Sequence, residues 1–126
     1  MIVILFMPEP LNRKVLIIDE ERQIRELLSD FFYFNGYKVI LADNGREALD
    51  ILMDRSCSLL IIGDISDASE VELIIKIRSV CVSLPIIGMS IENKESKFLR
   101  AGANYFLLKP FIIHHLKSIV SSIFSR

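Results

Sequence analysis

The chain has 126 residues, of which 52% are hydrophobic, and its mean hydropathy is +0.43. This length fits one domain that buries about two thirds of its unfolded surface, and so apolar a composition suits a sheet covered on both faces. Fifteen basic and sixteen acidic residues give a net charge of −1 and are spread along the chain, which argues against a surface for nucleic acid or anionic membrane.

The first twelve residues are predicted to form an extension outside the main domain, which we place at residues 13–126. Met1–Met7 is entirely apolar and is stopped by Pro8-Glu9-Pro10. It lacks a basic leader and is too short to cross a bilayer, so we interpret it as a segment that packs on the domain or on a partner, with a homodimer as one such contact. Cys57 and Cys81 lack metal-type spacing and are interpreted as reduced, and we expect a cytoplasmic protein.

Apolar runs and amphipathic stretches alternate along the rest of the chain. Strands are predicted at five apolar runs, Lys14–Ile18, Tyr37–Ala42, Leu59–Ile62, Leu84–Met89 and Ala103–Leu108. Apolar residues at helical spacing predict four helices, marked by the stretches Ile24–Phe32, Ala48–Met53, Val71–Ile77 and Leu116–Ile123, and a short, highly charged helix is predicted at Glu92–Ala101. Short connections between buried strands require parallel pairing with right-handed crossovers. The sequence therefore predicts a doubly wound α/β fold with a five-stranded parallel sheet.

Polar residues follow four of these strands at the point where each strand ends. They are Asp19-Glu20, Gly63-Asp64, Ser90 and Lys109. The carboxyl ends of parallel strands share one edge of the sheet, so we expect these residues to meet there. A hard cation such as Mg²⁺ relieves the repulsion of clustered carboxylates, and a carboxylate beside it can attack a phosphoryl donor to form an acyl phosphate. Lys109 and the Ser90 hydroxyl could then hold the phosphoryl oxygens.

Four stretches resemble the receiver domain of two-component response regulators. They are Val15–Glu21, Asn35-Gly36-Tyr37, Pro85–Ser90 and Ala101–Phe111. The resemblance implies a flavodoxin-like (βα)5 receiver fold and a role in phosphorelay signal transduction, with no enzyme activity beyond self-catalysed phosphoryl transfer. It also implies a sensor histidine kinase or phosphotransfer protein as donor, and a downstream protein partner at the face made by the fourth helix, fifth strand and fifth helix. Neither nucleic acid nor membrane is implied as a ligand of this domain.

The resemblance also implies roles for single residues. Magnesium binding is implied for three carboxylates, Asp19, Glu20 and Asp64. Lys109 resembles the family's ion-pairing lysine, which precedes a cis bond to proline, here Pro110. The switch residues are Ser90, as the hydroxyl that follows the phosphoryl group, and Phe106, which stands where the family often has tyrosine and has no hydroxyl.

The identity of the phosphoacceptor is the main question that the sequence raises. The family's acceptor aspartate directly follows the apolar strand, which places Gly63 at that position and Asp64 one residue later. A shift of one residue along a strand turns a side chain to the other face. In one interpretation Gly63 permits a bulge that brings Asp64 into the site as the acceptor. In the other the acceptor is lost, and a degenerate pseudo-receiver acts by protein binding alone. Asp67 is interpreted as a surface acid of the loop.

Other functions of α/β folds are disfavoured by missing motifs. No G-x-G-x-x-G loop follows a strand, which argues against a Rossmann dehydrogenase, and no nucleophile elbow of a hydrolase is present. A flavin phosphate would meet Asp19-Glu20-Glu21 after the first strand and be repelled by it.

Overall fold

The computed structural model describes residues 13–125, so the predicted extension at residues 1–12 lies outside them. Strands and helices alternate along this part of the chain. The strands are β1 (Lys14–Ile18), β2 (Lys38–Ala42), β3 (Leu59–Ile62), β4 (Ile86–Ser90) and β5 (Tyr105–Leu108). The helices are α1 (Arg22–Phe34), α2 (Gly45–Asp54), α3 (Glu70–Val80), α4 (Glu95–Ala101) and α5 (Ile113–Phe124).

All five strands pair in parallel in the order β2-β1-β3-β4-β5. Successive side chains of a strand point to opposite faces, so each face needs its own helical cover. In β1, Leu16 and Ile18 pack in a core with residues of α2, α3 and α4, whereas Val15 and Ile17 pack with residues of α1 and α5. The predicted doubly wound sheet is confirmed. No helix formed by residues 13–125 combines the length and apolar character needed to cross a bilayer.

The fourth helix begins later than the sequence predicts, at Glu95 and not at Glu92. The Ser90 hydroxyl accepts the N–H of Glu92 (3.1 Å), and the side-chain oxygen of Asn93 accepts the N–H of Glu95 (3.3 Å). Such bonds from a side chain to the backbone two residues on compete with helical hydrogen bonds. The chain between β4 and α4 is therefore a loop. It starts where the carboxyl ends of the strands bring the predicted site residues together, which we call the site edge of the sheet.

α4 is fixed on the sheet by an aromatic ring packed over a glycine of β4. A Cβ atom built on Gly88 would lie 2.1 Å from Cδ2 of Phe98, a fully buried residue of α4. The ring of Phe98 also meets that of Phe106 edge to face, with centroids 5.4 Å apart. The missing side chain of Gly88 thus sets how closely α4 approaches the sheet.

Gly88→Ala is expected to lower the free energy of unfolding by about 2 kcal/mol, because the added methyl group overpacks the Phe98 ring. Chemical denaturation of the variant measures this loss. Phe98→Leu removes the ring, so Gly88→Ala should cost clearly less in that background. An equal cost in both backgrounds would contradict the explanation.

Candidate functional site

The backbone that follows β3 reaches the site edge with a one-residue offset. The N–H of Gly63 donates to the carbonyl of Ile18 (2.8 Å), which continues the β1–β3 register. A regular parallel ladder would next join the N–H of Glu20 to the carbonyl of Gly63. Instead, that N–H donates to the carbonyl of Asp64 at 2.8 Å. Gly63 and Asp64 therefore lie together opposite Asp19, the two-to-one pattern of a β-bulge.

Residue 63 has to be glycine because there is no space for a side chain at this position. A Cβ atom built there would lie 1.7 Å from Oδ2 and 2.5 Å from Cγ of Asp19, so the Asp19 carboxylate fills the volume that a side chain at residue 63 would need. Asp19 itself is only 3% exposed and has little room to move. An acceptor side chain at residue 63 could not coexist with Asp19 in this position.

Lys109, at the end of β5, is surrounded by carboxylates. Its Nζ lies 2.8 Å from Oδ2 of Asp19, 3.0 Å from Oε1 of Glu21 and 3.1 Å from Oδ2 of Asp64. The contacts to Glu21 and Asp64 are hydrogen bonds. The contact to Asp19 is an ion pair without hydrogen-bond geometry, which leaves Oδ2 without a directed donor. Lys109 is followed by a cis bond to Pro110, as predicted.

The pKa values of Asp19 and Lys109 are shifted by burial and by the contacts between them and their neighbours. Burial raises the pKa of Asp19, and the contacts with Lys109 only partly oppose that rise. Burial alone would lower the pKa of Lys109, but the contacts of its ammonium with the carboxylates of Asp19, Glu21 and Asp64 outweigh it, so the pKa of Lys109 is raised. Lys109 is therefore a permanent cation at neutral pH, suited to pairing with anions.

Ser90, fully buried at the end of β4, connects Asp64 to the loop between β4 and α4. Its hydroxyl donates to Oδ1 of Asp64 (2.9 Å) and accepts the N–H of Glu92. Asp64 thus contacts Ser90 through one oxygen and Lys109 through the other, while 33% of its side chain stays exposed. Asp64 is the carboxylate of this group that joins both side chains and remains open to a ligand.

The carboxylates predicted to bind Mg²⁺ are near one another, but they do not form a metal site as they stand. Within residues 13–125, no group of three or more His, Cys, Asp or Glu side chains has the spacing to hold a metal ion. The Glu20 carboxylate is turned to Ser66 and accepts both its N–H and its hydroxyl. The donor set of Asp19, Glu20 and Asp64 nevertheless fits Mg²⁺ chemically, because all three are hard oxygen ligands at one edge. Glu20 would have to leave Ser66 to join them.

Three further residues lie at or near the predicted site, namely Asp67, Phe106 and Glu21. Asp67 accepts the N–H of Gly45 with both carboxylate oxygens (3.3 and 3.1 Å) and so helps to cap α2, a structural use for this exposed acid. Phe106 lies half-buried, with its ring against that of Phe98. Sequence reasoning assigned no role to Glu21, although its place in the acidic run Asp19-Glu20-Glu21 was a signal that could have found it.

Comparisons with known proteins agree with this fold. Residues 15–121 match the family described as the response regulator receiver domain. Response regulator MprA of Mycolicibacterium vanbaalenii is 32% identical over 117 residues, which cover 90% of this chain and 51% of MprA, so the chain spans about half the length of the curated relatives it matches.

Solved structures of response regulators share this fold. A two-component response regulator from Clostridium difficile superposes with a TM-score of 0.86 at 28% identity, covering 91% of this chain and 98% of that one. TrrA of Thermotoga maritima, in complex with Mg²⁺ and BeF, gives a TM-score of 0.80 at 27% identity, covering 88% and 98%. With the family match over most of its length, the chain belongs to the response regulator receiver domain family.

Proposed function

We propose that this receiver domain accepts a phosphoryl group on Asp64 from a sensor histidine kinase or a phosphotransfer protein. The observation that carries the proposal is the placement of the Asp64 carboxylate between the Ser90 hydroxyl and the Lys109 ammonium, 2.9 and 3.1 Å away, with a third of the side chain open. A lysine cation and a hydroxyl beside an accessible carboxylate are what an acyl phosphate needs for its oxygens.

In the proposed step, an Asp64 carboxylate oxygen attacks the phosphorus of a phosphohistidine. The O–P bond forms as the P–N bond breaks, and the electron pair of the broken bond stays on the imidazole, which takes up a proton. Lys109 exchanges its contact with Asp64 for one with a phosphoryl oxygen, and the Ser90 hydroxyl turns from the carboxylate to the same group. The domain acts only on itself, as a signalling module.

Magnesium is the cofactor of this proposal, with Asp19, Glu20 and Asp64 as the residues that would hold it. When bound, Mg²⁺ supplies positive charge that offsets the carboxylates and the incoming phosphoryl oxygens. The chain's own contribution is to keep Asp19 buried in place and to release Glu20 from Ser66. Support comes from the donor chemistry and from the backbone bond that holds Glu20 beside Asp64.

Output through a downstream protein is proposed at the face formed by α4, β5 and α5. This face carries exposed apolar side chains, and β5 is an edge strand of the sheet. They are Leu99 of α4 (40% exposed), Leu108 of β5 (48%), and Ile112 (69%) and Ile113 (41%) at the start of α5. Exposed apolar groups that lie near each other favour contact with another protein.

The acceptor is tested by incubating the protein with Mg²⁺ and either acetyl phosphate or beryllofluoride, followed by intact mass or amide chemical shifts. We expect an adduct that is lost in Asp64→Asn, retained in Asp67→Asn, and weakened when Mg²⁺ is omitted. Asp67 is the matched control because it is a loop carboxylate three residues away that caps α2 and touches neither Ser90 nor Lys109. No adduct under conditions that modify an ordinary receiver would favour the pseudo-receiver alternative, in which the domain works by binding alone.

A further inference from the structure

The first residue of α3, Glu70, connects two loops at the site edge. Its Oε2 accepts the N–H of Ile65 (3.2 Å), the residue that follows Asp64, and its Oε1 lies 3.6 Å from Nζ of Lys94. Only 13% of the Glu70 side chain is exposed. One carboxylate therefore contacts both the loop that carries Asp64 and the loop that leads into α4.

Lys94 is well placed to pass a displacement to α4. Its carbonyl accepts the N–H of Phe98 (2.9 Å), the first hydrogen bond of that helix, and Phe98 is the ring packed over Gly88. The other acidic neighbour of Lys94 is Glu92, 3.9 Å away and 72% exposed, which holds it more weakly. Lys94 thus joins the Glu70 carboxylate, through its ammonium, to the first turn of α4, through its carbonyl.

Glu70 differs from an ordinary acidic residue in the first turn of a helix. Glu72, two residues further along in the same first turn, serves as the comparison, because it is exposed and its carboxylate has no hydrogen-bond or ion-pair partner among residues 13–125, while its backbone N–H donates to the Ser69 hydroxyl that caps α3. Both acids complement the dipole of α3, but Glu70 alone of the two turns its carboxylate onto other elements. A purely helical role would not account for a carboxylate that is mostly shielded from solvent and contacts two other elements.

We infer that Glu70 is a positioning residue that holds the Asp64 loop and, through Lys94, couples the state of Asp64 to the start of α4. The inference rests on the proposed function. A change at Asp64 moves the adjacent Ile65 amide, the amide moves the Glu70 carboxylate, and the carboxylate moves Lys94. This route to α4 is separate from the one through Ser90 and its bond to Glu92.

The link is first tested in the unmodified protein by amide hydrogen exchange at Ile65. Lys94→Gln frees the Glu70 carboxylate and should speed exchange of the Ile65 amide about threefold, the factor that a partly exposed ion pair corresponds to. Glu70→Ala, which removes the acceptor itself, should speed it more. Glu72→Gln and Glu92→Gln are matched controls that should leave it unchanged. Equal exchange in Lys94→Gln and the unsubstituted protein would overturn the link.

The second test follows the amide shifts of residues 95–101 when beryllofluoride is added. The response of α4 should fall to about half in Lys94→Gln and persist in Glu72→Gln, since an ion pair of this exposure carries only part of the coupling. A full α4 response in Lys94→Gln would overturn the inference. Absence of any adduct in the unsubstituted protein would instead defeat the proposed function, and the exchange measurement at Ile65 would still decide whether Glu70 and Lys94 are coupled.

Discussion

Lys109→Ala is expected to lower the free energy of unfolding by about 3–5 kcal/mol, the usual cost of leaving buried charges without their partner. The lysine is 3% exposed and is the cation shared by Asp19, Glu21 and Asp64. Its removal leaves three carboxylates close together, with Asp19 buried. Urea denaturation at neutral pH in the absence of metal measures the loss. Lys117→Ala, an exposed lysine of α5, is the control and should change the value little.

The loss of unfolding free energy in Lys109→Ala should depend on pH. Burial already raises the pKa of Asp19 in the folded protein, and the loss of Lys109 removes the charge that opposes this rise. A carboxyl group whose pKa is raised by folding binds protons more tightly in the folded state, so acidification favours folding. The deficit of Lys109→Ala should therefore shrink as the pH falls through the raised pKa of Asp19. A deficit independent of pH, or none at neutral pH, would show that the carboxylates do not depend on this lysine.

Gly63→Ala is expected to cost about 3 kcal/mol of unfolding free energy, at the upper end for overpacking, and to reduce adduct formation at Asp64. The new Cβ atom would lie 1.7 Å from Oδ2 of Asp19, and the carboxylate would have to leave its place beside Lys109. Gly63→Asp, which puts an aspartate directly after the apolar strand, should be worse, because it adds a charge against a buried carboxylate.

Asp19→Ala provides the matched background for this prediction. It removes the atoms that the new Cβ atom would meet, so Gly63→Ala should cost much less there than in the unsubstituted protein. Denaturation of the two single variants and the double variant closes the cycle. Additive costs would mean that residue 63 is small for some reason other than the position of Asp19.

The sequence was sufficient to predict which strands end at the site, but not how the last two residues of the third one are arranged. Asp19, Ser90 and Lys109 could be placed together because parallel strands deliver their ends to one edge. The orientation of Asp64 could not, since it follows from a hydrogen bond between its carbonyl and Glu20, 44 residues earlier in the sequence.

Glu21 and Glu70 were missed for a related physical reason. Glu21 directly precedes α1 and Glu70 begins α3, and at such places an acidic residue has a sufficient local explanation in the helix dipole. Their second contacts, to Lys109 and Lys94, come from strands and loops far along the chain. The late start of α4 has the same origin, because short side chains between residues 90 and 95 bond their own backbone.

The bulge at Gly63 and Asp64 also affects how related sequences are compared. Counted along the sequence, Gly63 directly follows the apolar strand, where the resemblance to receivers places the acceptor aspartate, and Asp64 stands one residue later. The hydrogen bonds show a displacement by one residue, with a carboxylate still delivered to the lysine and the hydroxyl. A receiver sequence that reads glycine-aspartate at the end of this strand therefore calls for a structural alignment before it is counted as inactive.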